Sequence, residues 1–406
     1  MKKNTSNHHR TGTSAMKMIS AFVLATGCAS LLTAAAVDAR PPAYVARTDK
    51  ARILKAAVKY LKEEPLTITS CVSAKSAGGK HDFFSESDYW WPNPQNPDGP
   101  YIRKDGMTNP GNFVEHRLIM RRFCIQMPAL TAAYLVTQDA KYAKTAGQHL
   151  RAWFVNPETR MNPSMQFAQA VKGVSTGRGV GVIDALHLVE VARAVRVLER
   201  EGMIEAADLK VIKKWFQDYL QWLTSSKNGI EEREQKNNHG TEWVVQVAEY
   251  AQLVNDREQI EYCRKRFKEV LLPNQMAQDG SFPKELARTK PYSYSLFNLD
   301  LMAAICQILS DKTDNLFAFQ LSDGRSVRKG MEFMYPYIAD KSLWKHPPDV
   351  MYYEYFPNRQ PCLLFAGLAY NEKKYLDLWE KLNPDPENEE AIRNFPIRQP
   401  VLWLDK

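Results

Sequence analysis

Asn237, Asn238 and His239 stand in a row, and a later stretch from Asp279 to Tyr294 carries Arg288, Lys290, Tyr292 and Tyr294. Together they supply amides, an imidazole, a guanidinium and phenols, with carboxylates in the minority. That mixture suits removal of a proton beside a sugar carboxylate and expulsion of a glycosidic oxygen. The C5 proton of a 4-linked uronate is only weakly acidic. Charge flowing into its carboxyl must be stabilised while a base takes the proton and an acid meets O4. Asn238 and Arg288 are suited to neutralise the carboxylate, with Asn237 beside them to bind substrate. His239 can join them or, titrating near neutrality, act as base. Tyr294 can be base when ionised and acid once it has taken the proton, and Tyr292 competes with it for that role and otherwise binds substrate.

An unperturbed tyrosine has a pKa of about 10, so something must favour the phenolate. Pro291 is a natural first residue for a helix running through Leu296, Leu299, Met302, Ile305 and Leu309. Tyr294 then lies in its first turn, near the positive end of the helix dipole, with Arg288 and Lys290 as cationic neighbours. Arg288 and Tyr294 converge only if Arg288 precedes the helix.

Two long non-helical inserts offer further contacts. The first, 71–113, contains Ser87-Asp88-Tyr89-Trp90-Trp91-Pro92, whose Trp90 and Trp91 could stack on sugar rings or fill the insert's own small core. The second, 156–181, contains Gln169, a further substrate-binding candidate, and Thr176-Gly177-Arg178-Gly179. Flanking glycines allow a tight turn that leaves the Arg178 guanidinium free to fork onto a substrate carboxylate. A solvated surface turn is the plainer alternative.

The elements that must position these groups are helical. Apolar residues recur at helical spacing near 53–61, 118–134, 139–154, 181–200, 206–224, 241–254, 257–271, 292–310, 325–338 and 360–370. Strand-like alternation is scarce, and no fixed repeat length marks a solenoid. Helix pairs of irregular length predict an all-α fold, an (α/α) toroid or barrel of helical hairpins with long loops over a groove. No linker divides the chain, so 40–406 is expected to be a single catalytic domain.

Residues 1–39 read as a secretory signal peptide, with Lys2, Lys3, Arg10 and Lys17 before an apolar run and Val37-Asp38-Ala39 as the cleavage site. The expected location is the periplasm or the exterior, without stable membrane association. Losing that segment takes the formal charge from +8 to +5, since four bases and one acid go with it. A mildly basic exported protein suits an acidic polysaccharide better than nucleic acid. Cys71, Cys124, Cys263, Cys306 and Cys362 remain, an odd number without CxxC spacing, so neither a disulfide scaffold nor a zinc site is expected. No metal motif appears, and elimination needs no cofactor.

Asn237-Asn238-His239, then Glu285-Leu286-Ala287-Arg288, then Tyr294-Ser295-Leu296-Phe297-Asn298-Leu299 resemble the alginate lyase superfamily of α/α-toroid polysaccharide lyases. Asp88-Tyr89-Trp90-Trp91-Pro92 and Thr176-Gly177-Arg178-Gly179 resemble a branch that includes alginate and glucuronan lyases. The resemblance implies Asn238, His239, Arg288 and Tyr294 as the catalytic set. The Arg-to-Tyr spacing departs slightly from the better-known alginate lyases.

Mannuronate and glucuronate place H5 and O4 on the same side, so one tyrosine could serve both. Guluronate needs a base on the other face, which His239 could supply. Alginate is the first expectation and glucuronan the second. Two rivals stand beside them. One is a helical-barrel glycoside hydrolase using a carboxylate pair among Asp88, Glu242, Asp279 and Glu285. The other is a non-catalytic polyuronate-binding or export protein on the same scaffold.

Overall fold

In the computed structural model, which describes residues 41–404, the apolar stripes become packed helices. The first are α1 (Pro41–Tyr60), α2 (Glu115–Thr137), α3 (Ala140–Leu150), α4 (Leu188–Arg200), α5 (Ala206–Ser225) and α6 (Lys227–Arg233). Then come α7 (Asn238–Val254), α8 (Arg257–Arg266), α9 (Leu272–Gln275), α10 (Pro283–Leu286), α11 (Pro291–Leu309) and α12 (Val327–Ala339). The last are α13 (Pro361–Tyr370), α14 (Lys373–Lys381), α15 (Glu389–Arg393) and α16 (Val401–Leu404). Punctuation in the sequence sets their ends. Asp139 and Asp256 accept backbone N–H bonds at the starts of α3 and α8, both at 3.1 Å. Pro291 and Pro361 occupy the first positions of α11 and α13, where a missing N–H costs nothing. Asn255 and Asn371 close α7 and α13 in the left-handed region.

Helices α2, α4, α7, α11 and α13 pack one against the next, and α1, α3, α5, α8, α12 and α14 cover them. The fold is an (α/α) toroid. Its inner helices are buried on nearly every face, α11 most completely, so their sequences read as apolar almost throughout. The covering helices keep a polar side, as α5 and α14 do. Helices α6 and α14 were not expected from the spacing. Both are short, and α14 nonetheless carries an apolar stripe, with Tyr375 and Trp379 buried one turn apart.

The two inserts are tied to each other. Strand β1 (Phe84–Glu86) pairs in parallel with β4 (Phe167–Ala170), and β2 (Trp90–Trp91) pairs antiparallel with β3 (Ile102–Arg103). The β1–β4 register shifts midway, leaving Gln169 at φ 51°. Gly177 answers a different need from the tight turn expected of it. A Cβ there would lie 2.0 Å from the Gln166 carbonyl oxygen, so it permits close backbone approach. Cys71, Cys124, Cys263, Cys306 and Cys362 are all free thiols. No described helix is long and apolar enough to cross a membrane. The signal-peptide reading falls on residues 1–39, outside the described ones.

Candidate active site

Helix α7 begins at Asn238 with Asn237 as its cap residue, so Asn238 and His239 sit in its first turn. Helix α11 begins at Pro291, so Tyr294 sits in its first turn too. The two helices pack together and present these turns to one cleft of about 220 Å³. Arg288 precedes α11 and lines the same cleft, as convergence required. Asn237, Gln169, Arg178 and Trp90 line it as well.

Two expected contacts are not there. Tyr292 is fully buried, its hydroxyl donating to the Tyr337 carbonyl at 2.9 Å and its ring packed edge-on against Trp344. Two residues along a helix turn a side chain about 200°, so Tyr292 and Tyr294 cannot share a cleft. Trp91 follows the strand rule instead. Neighbours in β2 face opposite ways, so Trp90 meets the cleft while Trp91 donates to the Met107 carbonyl at 2.9 Å under Lys104.

The Tyr294 hydroxyl is 2.7 Å from that of Tyr89, and the Arg288 guanidinium lies over its ring at 4.7 Å. Burial nevertheless wins over Arg288 and raises the Tyr294 phenol above its ordinary value. The resting group is therefore a phenol, against the expectation of a favoured phenolate. Lys290 does not supply the expected push. It is fully buried and paired with Glu390 at 2.8 Å, reaching only the Tyr89 hydroxyl at 3.5 Å. Burial raises the Tyr89 phenol as well, so both hydroxyls keep their protons and one donates to the other.

The amide of Asn238 is aimed by Glu285, which accepts from its backbone N–H at 2.6 Å and from Nδ2 at 2.7 Å. The Nδ1 of His239 is 2.6 Å from Glu232 Oε1, leaving Nε2 for the cleft. Burial moves the imidazole down to about 4, so His239 is neutral at physiological pH.

The cations differ in how they are held. Arg288 is paired with Asp105 at 3.1 Å, and although burial works against it, Asp105 is brought down to about 2 by Arg288 and Arg103. Arg393 is clamped by Asp88 and Glu390. Arg178 bonds only neutral acceptors: the Gln169 carbonyl at 3.0 Å, Ser87 Oγ at 2.6 Å and Gln169 Oε1 at 3.3 Å. No carboxylate among the described residues pairs with it, and burial presses its guanidinium below its ordinary value. The plainer reading of a solvated surface turn is excluded by that placement.

Tyr89, Asp105, Glu232, Glu285, Glu390 and Arg393 were not singled out for these places from sequence. Tyr89 carried a signal, since it lies inside the same aromatic run as Trp90. Glu390 and Arg393 carried none, because they come from the far end of the chain.

The sequence pattern of the alginate lyase family matches residues 67–344. The chain belongs to the alginate lyase family. An alginate lyase from Bacteroides ovatus has a similar structure, with TM-score 0.77, 28% identity, and 90% of this chain and 97% of that one covered. Two variants of alginate lyase A1-III complexed with tetrasaccharide share the fold at 16% identity. A histidine-to-alanine form gives TM-score 0.54 over 84% of this chain and 91% of that one. A tyrosine-to-phenylalanine form gives 0.52 over 80% and 86%. No curated protein matches.

This member of the alginate lyase family is thus a polysaccharide lyase, and its carboxylates agree with that. A hydrolase needs a carboxylic acid facing its substrate. Glu242 and Glu285 are fully buried and do not line the cleft, and Asp279 sits exposed on a turn away from it. Asp88 and Glu390 do line it. Burial would raise both, but Arg117 and Arg393 hold Asp88 well below the usual range, and Lys290 and Arg393 lower Glu390. Neither is a proton donor.

Proposed function

We propose that the protein cleaves 4-linked polyuronates by β-elimination, alginate first and glucuronan second, after export from the cytoplasm. The reading is carried by one observation: a proton-bearing phenol pair, Tyr89 and Tyr294 at 2.7 Å, shares a cleft with Asn238, His239 and the carboxylate-free Arg178.

In this reading Arg178, Asn238 and His239 receive the uronate carboxylate and take up charge as the C5 proton leaves. Gln169 and Ser87 hold Arg178 by Nε and Nη2, so it offers Nη1 and a charge that no carboxylate neutralises. Tyr294 gives its own proton to O4 and takes the C5 proton in its place, so it ends as the phenol it began as. The negative charge it gathers between the two transfers is supported by the Tyr89 hydroxyl and by Arg288 over the ring. Arg288 is thus an electrostatic partner of the phenol more than the carboxylate clamp expected from sequence, because Asp105 already occupies its fork.

The test is ultraviolet absorbance of the C4–C5 double bond with polymannuronate, polyguluronate and glucuronan offered separately. A rise establishes elimination, and the ranking names the sugar. New reducing ends without absorbance indicate hydrolysis, and binding without shortening indicates a carrier; either refutes the proposal.

A further inference from the structure

Behind His239, away from the cleft, two carboxyl groups touch. Glu232 lies in the last turn of α6, and Glu242 stands three residues beyond His239 on the same face of α7. Both are fully buried, and each carboxyl lies close enough to act on the other. Glu242 Oε2 accepts from Gln246 Nε2 at 2.6 Å. Gln246 is itself oriented, donating to the Val182 carbonyl at 3.2 Å and accepting from Tyr250 at 3.1 Å and Tyr219 at 3.4 Å. The second oxygen of each acid, Glu232 Oε2 and Glu242 Oε1, finds no other donor. The charged groups that also reach Glu232 are Asp184 and Arg178, and Arg178 is bonded elsewhere. His239 is reached in addition by Arg288, Glu285 and Arg393, and Glu242 by His239.

Two touching carboxyls cannot both be ionised, and Glu242 Oε2 already accepts from Gln246, so a proton on Glu242 sits on Oε1, where it can be donated to Glu232 Oε2. Glu232 Oε1 then either accepts Nδ1–H from His239 as a carboxylate or donates its own proton to Nδ1 as an acid. The first buries a net negative charge without a paired cation. The second leaves the whole chain neutral, the cheaper state away from water. Burial raises Glu232 to about 8 and Glu242 well above its ordinary value, in the same direction.

We propose that Glu232 and Glu242 are positioning residues, both protonated, that hold His239 as the Nε2–H tautomer, so that it meets the substrate as a neutral hydrogen-bond donor and not as a base. The identity of what it meets, a uronate carboxylate, rests on the lyase reading; the tautomer does not. As pH rises through about 8, Glu232 loses its proton, Nδ1–H forms, and a lone pair replaces the donor facing the cleft. Turnover falls over that window.

The deciding measurement is nitrogen-15 NMR of the intact protein with labelled histidine, His239 being assigned by difference against His239→Ala. The expected spectrum at pH 7 has Nε2 protonated and Nδ1 bare, reversing above about pH 8. A proton on Nδ1 at pH 7 overturns the proposal, whether or not the protein cleaves polyuronate. Kinetics supply a second arm. In Glu232→Gln the amide N–H can replace the acid's donor, so turnover should exceed that of Glu232→Ala at least tenfold and lose its alkaline fall. If Glu232 is instead a carboxylate, the amide forces the wrong tautomer, with a loss on the order of 10⁴-fold by analogy with a misoriented catalytic imidazole. That result refutes the donor assignment.

Discussion

The two walls of the cleft hold their cations differently. On the insert wall Arg178 leans on a carbonyl, a hydroxyl and an amide, all neutral. Outside the inserts, Arg288 and Arg393 already own carboxylates, Asp105 for one and Asp88 with Glu390 for the other. A cleft rich in arginine therefore has much less positive charge to offer than its composition suggests. The cations with carboxylate partners shape the site, and the one without is free to recognise an anion.

The largest effect that sharpens this contrast is on neither cation. Tyr294→Phe removes the proton carrier between the walls and should lower kcat about 10²- to 10⁴-fold, with binding of oligouronate changed only a few-fold by calorimetry. Arg178→Ala should come next, at roughly 10- to 100-fold in kcat/KM, felt mainly in KM, as the loss of a charge-assisted contact predicts. Arg288→Ala should lower kcat with KM nearly unchanged, by roughly 2- to 30-fold, the worth of a desolvated cation over an aromatic ring. An increase in KM as large as that of Arg178→Ala would break the distinction between the walls. The smallest effect is Tyr292→Phe, which loses only the bond to the Tyr337 carbonyl. It should cost about 1 kcal/mol in denaturant unfolding while turnover stays within twofold of the parent.

What could be read from sequence follows the same division. Pro291 announced the start of α11 and so the first-turn place of Tyr294, because helix starts are written locally. Asn238 and His239 met Tyr294 because inner helices must pack. The insert wall depended on pairings distant in sequence. Whether Trp90 or Trp91 faced the cleft was settled only by β2 pairing with β3, and Arg178 was oriented by Gln169 and Ser87. The phenol's ionisation was misjudged because neighbouring cations are visible in sequence, whereas burial and the carboxylates that occupy those cations are not. Asp105 and Glu390 have no local pattern that would mark them as partners of Arg288 and Lys290.

One feature of the cleft bears on how the protein is made. Asp88 is clamped by Arg393, 305 positions later, and Lys290 by Glu390, 100 positions later. A growing chain that has already emitted both phenols, Asn238 and His239 still lacks the two residues that pin Asp88 and Lys290 beneath Tyr89. The cleft closes into its final form only when residues 390–393 have left the ribosome. Premature termination before Glu390 should therefore yield helices without a competent cleft, so synthesis itself keeps partial chains silent.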